Sequence, residues 1–158
     1  MRYLAFQESS EPGIMFCGPE KDPIALVIRS NYEKRNNGAI FFSQTEWNFQ
    51  IGFIKQPANH IFPEHSHNAT SRLIYGTEEV LLIRKGACLV QCYGDREDAQ
   101  KQFFETELHS GDLVIFRNGG HKIIVKDDVE ILEVKQGPYL GSSDKTRTNF
   151  LESNDSSK

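Results

Sequence analysis

Short runs of apolar residues, separated by turn-forming residues, recur along most of this chain. Turn signals such as Asn36-Asn37-Gly38, Ser110-Gly111-Asp112 and Asn118-Gly119-Gly120 lie between the runs. Each run has the length of a strand, and the chain has no long amphipathic helical pattern, so the sequence predicts an all-β sandwich or barrel. The runs are residues 24–28, 39–42, 49–54, 80–83, 87–93, 103–108, 113–116, 123–125 and 129–134.

The phase of side chains along the predicted strands gives several histidines a direction. His65 and His67 are two residues apart, so on a strand both side chains leave the same face. His121 shares its phase with Ile123, whereas Lys122 falls on the opposite face. Because the apolar face of a strand packs into the core, we expect His121 to point inward.

A carboxylate at the start of the 80–83 run completes a candidate metal site. Three imidazoles and one carboxylate form a full ligand set for a divalent transition metal such as Fe, Mn, Ni or Zn. Glu78 is the rival carboxylate: it shares a face with Val80 and Leu82 but also with Arg84, so side-chain phase does not choose between Glu78 and Glu79. The predicted metal ligands are His65, His67, Glu79 and His121.

Length and charge set broad limits on the class of protein. The 158 residues fit one domain with a real core, which we divide into an N-terminal arm (1–22), a barrel (23–140) and a flexible C-terminal tail (141–158). Lys and Arg total 18 against 22 Asp and Glu, a net charge of −4. That balance argues against a nucleic-acid footprint, which usually shows as a basic patch.

Neither a membrane segment nor a disulfide framework is visible in the sequence. No apolar run approaches the roughly 20 residues that span a bilayer, and the N-terminus lacks the apolar core of a signal peptide. The three cysteines have no framework spacing, and Cys88 and Cys92 are too far apart on one strand to bridge. We therefore expect no membrane association and a reducing, cytoplasmic location.

Two spaced motifs resemble those of the cupins, which are small double-stranded β-helix or jelly-roll barrels. The first has a His-x-His pair, then a Glu, then six residues and a Gly, as in His65, His67, Glu79 and Gly86, and this spacing favours Glu79 over Glu78. The second runs from Gly111 through Gly119 to His121. The resemblance covers residues 48–136 and implies a single cupin barrel, here with an N-terminal strand extension.

A narrower resemblance concerns a cupin subgroup that is often encoded among surface-polysaccharide or sugar-nucleotide genes. The pieces that carry it are Thr77-Glu78-Glu79-Val80-Leu81, Gly119-Gly120-His121 and residues 133–139. Two departures from the family pattern stand beside it. Residues 68–78 separate His67 from Glu79 where the family has three or four residues, and Arg117 stands where the second motif has Pro.

The resemblance implies a metal-dependent enzyme acting on a small oxygen-rich molecule, such as a sugar, sugar acid or nucleotide sugar, by isomerase-type, epimerase-type or other Lewis-acid chemistry. Two alternatives stay open: a non-catalytic metal- and sugar-binding module, and an Fe-dependent dioxygenase. An enzyme needs a titratable group beside its substrate. The candidates for that proton transfer are Lys135, Tyr93 and Glu78.

Ligand contacts are predicted from residues near the expected metal. Arg72 lies in the long 68–78 loop, and its guanidinium suits a carboxylate or phosphate, so we expect an anionic, sugar-like ligand. Gln50 and Phe53 are expected to line the cavity, and Tyr139 to close one end. We also expect the apolar strands 24–28 and 39–42 to extend a sheet and help form a two-fold homodimer, since exposed strand edges invite pairing.

Overall fold

The computed structural model describes residues 3–94 and 102–147, and within them the chain is all-β, as predicted. Residues 148–158 of the predicted tail lie outside the described residues. The strands are β1 (Tyr3–Ala5), β2 (Gln7–Glu8), β3 (Ile14–Cys17), β4 (Ala25–Ile28), β5 (Gly38–Phe41), β6 (Gly52–Lys55), β7 (Glu79–Lys85), β8 (Ala87–Tyr93), β9 (Phe103–His109), β10 (Leu113–Phe116), β11 (Gly120–Val125) and β12 (Glu130–Lys135). A short 3₁₀ helix, Gly141–Asp144, follows β12. No helix in these two ranges is long and apolar enough to cross a membrane.

The strands form two larger sheets and one hairpin. The six-stranded sheet has the order β12-β7-β10-β4-β3-β2, and the four-stranded sheet has the order β1-β9-β8-β11. The remaining pair, β5 and β6, is antiparallel. Every predicted apolar run overlaps one of β4 to β12, because each combines a strand's length with flanking turn residues.

The N-terminal residues contribute to both larger sheets. Strand β1 pairs in parallel with β9, whereas β3 pairs antiparallel with the buried strand β4. The first 20 or so residues are rich in turn formers, which predicts an arm over residues 1–22. The apolar run Ile14–Cys17 is nonetheless a largely buried strand.

The main core lies between the inner faces of the two larger sheets. Leu81, Ile83 and Val114 enter it from the six-stranded sheet, and Val90 and Leu108 enter it from the four-stranded sheet. Each of these side chains is at most 4% exposed. His121 shares this inward phase, since it lies opposite the buried Cys92 on the neighbouring strand β8.

A second apolar cluster covers the outer face of the six-stranded sheet. The side chains of Leu26, Ile28 and Ile115 project from that face. Tyr32 and Trp47 pack over them. Strand β4 is therefore buried within its own chain, between β3 and β10. The prediction that residues 24–28 serve a dimer edge consequently has no support from their position.

All three cysteines are free and buried. Burial raises the pKa of the Cys88 thiol, and a hydrogen bond with Cys17 together with burial raises that of Cys92. A raised thiol pKa leaves little of the reactive thiolate. These residues therefore behave as small core side chains.

The connection from β6 to β7 has no regular secondary structure, and residues 57–77 are exposed throughout. His65 and His67 lie in this stretch, so the strand geometry that would direct both side chains to one face is absent there. The segment carries apolar residues at exposed positions, including Ile61 at 82% and Leu73 at 78% exposure. We call residues 56–78 the connecting segment.

Candidate functional site

Glu79 and His121 meet at one end of the core between the sheets. Glu79 is the first residue of β7 and lies opposite Phe116 on β10. Its Oε2 is 3.2 Å from Nε2 of His121 on β11. The His121 ring stacks on the Phe116 ring at 3.9 Å between centroids and 5° between planes. The two sheets thus fix both members of the pair, which we call the Glu79–His121 pair.

Two lysines approach the other carboxylate oxygen of Glu79. Lys135 lies opposite Glu79 on β12, with its Nζ 3.9 Å from Oε1. The Nζ of Lys145, beyond the 3₁₀ helix, is 3.6 Å from the same oxygen. Lys135 also contacts Glu133 at 3.4 Å and lies 5.3 Å from the centre of the Tyr139 ring. The carboxylate of Glu79 therefore has an imidazole on one side and ammonium groups on the other.

Burial and neighbouring charges favour the neutral form of His121. Burial lowers the pKa of its imidazole, the Glu79 charge raises it, and the Lys145 charge lowers it again. The net shift is downward. For Lys135, loss of solvent lowers the pKa, but the hydrogen bond to Glu133 and its charge outweigh that effect and raise it. The end of the core thus holds a neutral nitrogen base beside a charged ammonium.

Glu78 immediately precedes β7, and its carboxylate has different contacts from that of Glu79. Its Oε2 accepts a hydrogen bond from the Phe49 backbone N–H at 3.2 Å, and its Oε1 is 3.3 Å from Nε of Arg117. The Arg117 guanidinium lies 3.8 Å above the Trp47 ring. Burial raises the pKa of Glu78, and Arg117 partly offsets that rise. Of the two rival carboxylates, only Glu79 contacts His121.

The remaining predicted metal ligands, His65 and His67, are exposed on the connecting segment. Their ring centroids are 5.4 Å apart, and Nδ1 of His65 lies 3.0 Å from the carbonyl oxygen of Pro63. Across residues 3–94 and 102–147, no three or more His, Cys, Asp or Glu side chains are grouped to hold a metal. The structure therefore brings together two of the four predicted ligands, Glu79 and His121.

The predicted ligand-contacting residues are dispersed. Arg72 is exposed on the connecting segment. The Gln50 side-chain amide donates to the backbone carbonyls of Gln44 and Trp47, so it shapes the turn before β6. Phe53 packs its ring 5.2 Å from that of Tyr32. Of this group, only Tyr139 lies near the Glu79–His121 pair, through its contact with Lys135.

Tyr93 borders the strand that carries His121. It lies opposite Gly120 in the pairing of β8 with β11. A Cβ at Gly120 would overlap the Tyr93 ring, so the glycine allows the tyrosine to lie over the start of β11. Of the three residues predicted to move protons, Lys135 contacts Glu79, Tyr93 lies on the adjoining strand, and Glu78 faces the other way.

Two residues of this site were not anticipated from the sequence. Phe116 was predicted only as part of an apolar strand, although its phase with Val114 placed it on the inner face. Lys145 lies in the predicted tail, where no periodic pattern marks a contact. Its approach to Glu79 depends on the 3₁₀ helix Gly141–Asp144, which directly precedes it.

Comparisons with known proteins give no relative. No protein-family model matches the chain, and the searches of curated proteins and of solved structures found no match either.

Proposed function

We propose that this protein is a metal-dependent, cupin-like enzyme that acts on a small oxygen-rich molecule at the end of the core marked by Glu79 and His121. The observation that carries the proposal is the 3.2 Å contact between these two side chains. A neutral imidazole and a carboxylate facing one point can accept protons or bind a cation. The cupin barrel itself is part of the proposal and is supported by the two spaced motifs and the all-β architecture.

The donor atoms suit a divalent transition metal. Imidazole nitrogens and a carboxylate oxygen are the ligands that Fe, Mn, Ni and Zn sites use. Glu79 and His121 would supply two of these donors, and His65 and His67 the others. The latter two are exposed and joined to β7 through residues 68–78. Such a length of chain can span up to about 35 Å when extended, so the connecting segment can carry both histidines to the pair.

The surrounding residues give the site its orientation and charge. Phe116 fixes the plane of the His121 ring by stacking on it, and Glu79 holds the ring by its Nε2 contact. Lys135 and Lys145 offer ammonium groups that can pair with an oxygen anion or donate a proton to it. When bound, a divalent metal supplies Lewis-acid polarisation of a ligand oxygen.

A sugar acid or nucleotide sugar is the substrate class that the cationic side chains around the site would recognise. Lys135 and Lys145 lie beside Glu79, and Arg72 is available on the connecting segment. A carboxylate or phosphate meeting such cations gains a charge-assisted contact of about 1.5–3 kcal/mol. Neutral sugars lack that contact.

The metal proposal predicts a specific loss on removing the two exposed histidines. The wild-type protein, purified without a histidine tag, should bind one equivalent of a divalent metal. The double variant His65→Ala/His67→Ala should bind it at least about a hundredfold more weakly, because ligand removal of this kind costs several kcal/mol. Calorimetric titration with each metal, together with elemental analysis, measures both quantities.

Two other histidines serve as matched controls for that experiment. His60 is exposed on the same connecting segment, and His109 is exposed at the end of β9. Replacing either by Ala should leave metal affinity unchanged, whereas His121→Ala should lower it. Equal affinity in the wild type and the double variant would exclude His65 and His67 as ligands. Failure of the wild type to bind any of these metals would end the metal proposal.

The substrate proposal predicts a preference for acidic sugars that depends on Arg72. Arg72→Ala should weaken the binding of a sugar acid or nucleotide sugar about tenfold to a hundredfold while leaving metal content unchanged. The exposed Arg35 is the control, since it lies outside the connecting segment. Titration of matched neutral and acidic sugars decides the point. Equal affinity for neutral and acidic sugars, or wild-type affinity in the Arg72→Ala variant, would contradict a contact between Arg72 and an anionic group of the ligand.

A further inference from the structure

The outer face of the six-stranded sheet is apolar right up to its edge at β12. Leu132 and Val134 point to that face and are 52% and 51% exposed. They lie opposite Leu82 and Val80 on β7. The cover formed by Tyr32 and Trp47 lies over the Leu26, Ile28 and Ile115 part of this face, and leaves the two β12 residues open.

Strand β12 is also an open edge. It pairs with β7 on one side, and no strand among residues 3–94 and 102–147 pairs with its other side. An open edge presents backbone N–H and C=O groups that favour pairing with another strand. Whatever covers this region must therefore supply an extended strand with apolar side chains at alternate positions.

Strand β12 itself meets both requirements, so we propose that two copies of this chain pair through β12 in an antiparallel, two-fold arrangement. Directly opposite residues in such a pair lie on the same face. With Glu133 at the axis, Leu132 lies opposite Val134 of the partner subunit, and the exchange is reciprocal. The two exposed apolar residues of each copy then cover those of the other.

The inner face of β12 brings charged residues of both signs together in this register. Glu133 and Lys135 both lie on the inner face of β12 and contact each other at 3.4 Å. The two Glu133 carboxylates face each other directly across the axis, which is unfavourable, and each has the partner subunit's Lys135 as a diagonal neighbour, which offsets that repulsion. Diagonal neighbours of opposite charge stabilise antiparallel pairs.

The proposed interface adjoins the candidate site. Lys135, whose Nζ is 3.9 Å from Glu79, would lie opposite Ile131 of the partner subunit. Pairing would thus restrict the position of Lys135 beside Glu79. This inference goes beyond the proposed function and does not depend on metal or substrate binding.

Sedimentation velocity on the full chain tests the pairing. The wild type should sediment as a dimer of the 18.0 kDa chain. Both Leu132→Lys and Val134→Lys should raise the dimer dissociation constant about a hundredfold or more, because each buries unpaired charges from two copies. Val125→Lys is the matched control: Val125 is 56% exposed on β11, the edge of the other sheet, and should leave the dimer intact. A monomeric wild type, or a dimer that survives both β12 variants, would overturn the proposal.

A single cysteine tests the register. Glu133→Cys places two thiols opposite each other across the axis, within the roughly 4.4–6.8 Å Cα separation that a disulfide needs. Oxidised glutathione should convert this variant to a covalent dimer, while the wild type, with its three buried thiols, stays uncrosslinked. Leu132→Cys should crosslink poorly, since residue 132 does not face itself. Crosslinking by Leu132→Cys in preference to Glu133→Cys would refute this register, and no crosslinking by either would refute edge pairing.

Discussion

Replacing Asp112 by Ala is expected to lower the free energy of unfolding by about 3–5 kcal/mol, the usual cost of breaking a buried ion pair. Asp112 is 3% exposed. One of its carboxylate oxygens accepts from the Ser30 backbone N–H at 2.8 Å, and the other accepts from the His109 backbone N–H at 3.0 Å and from Arg29 at 2.9 Å. Removing the carboxylate leaves all these donors, including a largely buried guanidinium, without that acceptor.

An exposed ion pair of the same length provides the control. Arg84 and Glu130 are also 2.9 Å apart, but their side chains are 61% and 57% exposed. Glu130→Ala should therefore cost less than about 1 kcal/mol. Asp112→Asn keeps one acceptor oxygen and should fall between the two. Urea denaturation of the three variants gives the comparison, and equal costs for Asp112→Ala and Glu130→Ala would show that burial does not decide the strength of this pair.

Replacing Gly86 by Ala is expected to destabilise the protein by about 2–5 kcal/mol. Gly86 is the one residue between β7 and β8, where the chain passes from the six-stranded sheet to the four-stranded sheet. Its φ is +76°, which costs an L residue about 1–2 kcal/mol. A Cβ there would also overlap the carbonyl oxygen of Asp128, and overpacking of this kind adds about 1–3 kcal/mol.

Gly76 separates these two contributions. Its φ is also +76°, but a Cβ there has no atom within 4 Å. Gly76→Ala should therefore show the conformational cost alone, about 1–2 kcal/mol. The difference between the two variants in urea denaturation measures the overlap with Asp128. If Gly86→Ala and Gly76→Ala lower the free energy of unfolding equally, the close approach of the Asp128 backbone does not restrict the residue at position 86.

Side-chain phase along the strands predicts the orientation of some residues of the site and not of others. The phase of His121 with Ile123 correctly placed its side chain on the inner face of β11, and the spacing from Glu79 to Gly86 selected the carboxylate that contacts it. Side-chain phase cannot predict the direction of His65 and His67, because their segment forms no strand and its side chains therefore do not alternate between two faces. The lysines beside Glu79 come from β12 and from beyond the 3₁₀ helix, and their approach depends on long-range packing.

The sequence by itself determined that the chain is all-β and where β4 to β12 lie, because runs of a strand's length between turn residues are local signals. It also determined the face of His121 on its strand, since alternation is a property of the extended backbone. Only the tertiary structure decided which strands pair, how the N-terminal strands join the sheets, and that β4 is buried in its own chain. Those outcomes depend on contacts between residues far apart in sequence, such as Glu79 with His121, which no local pattern specifies.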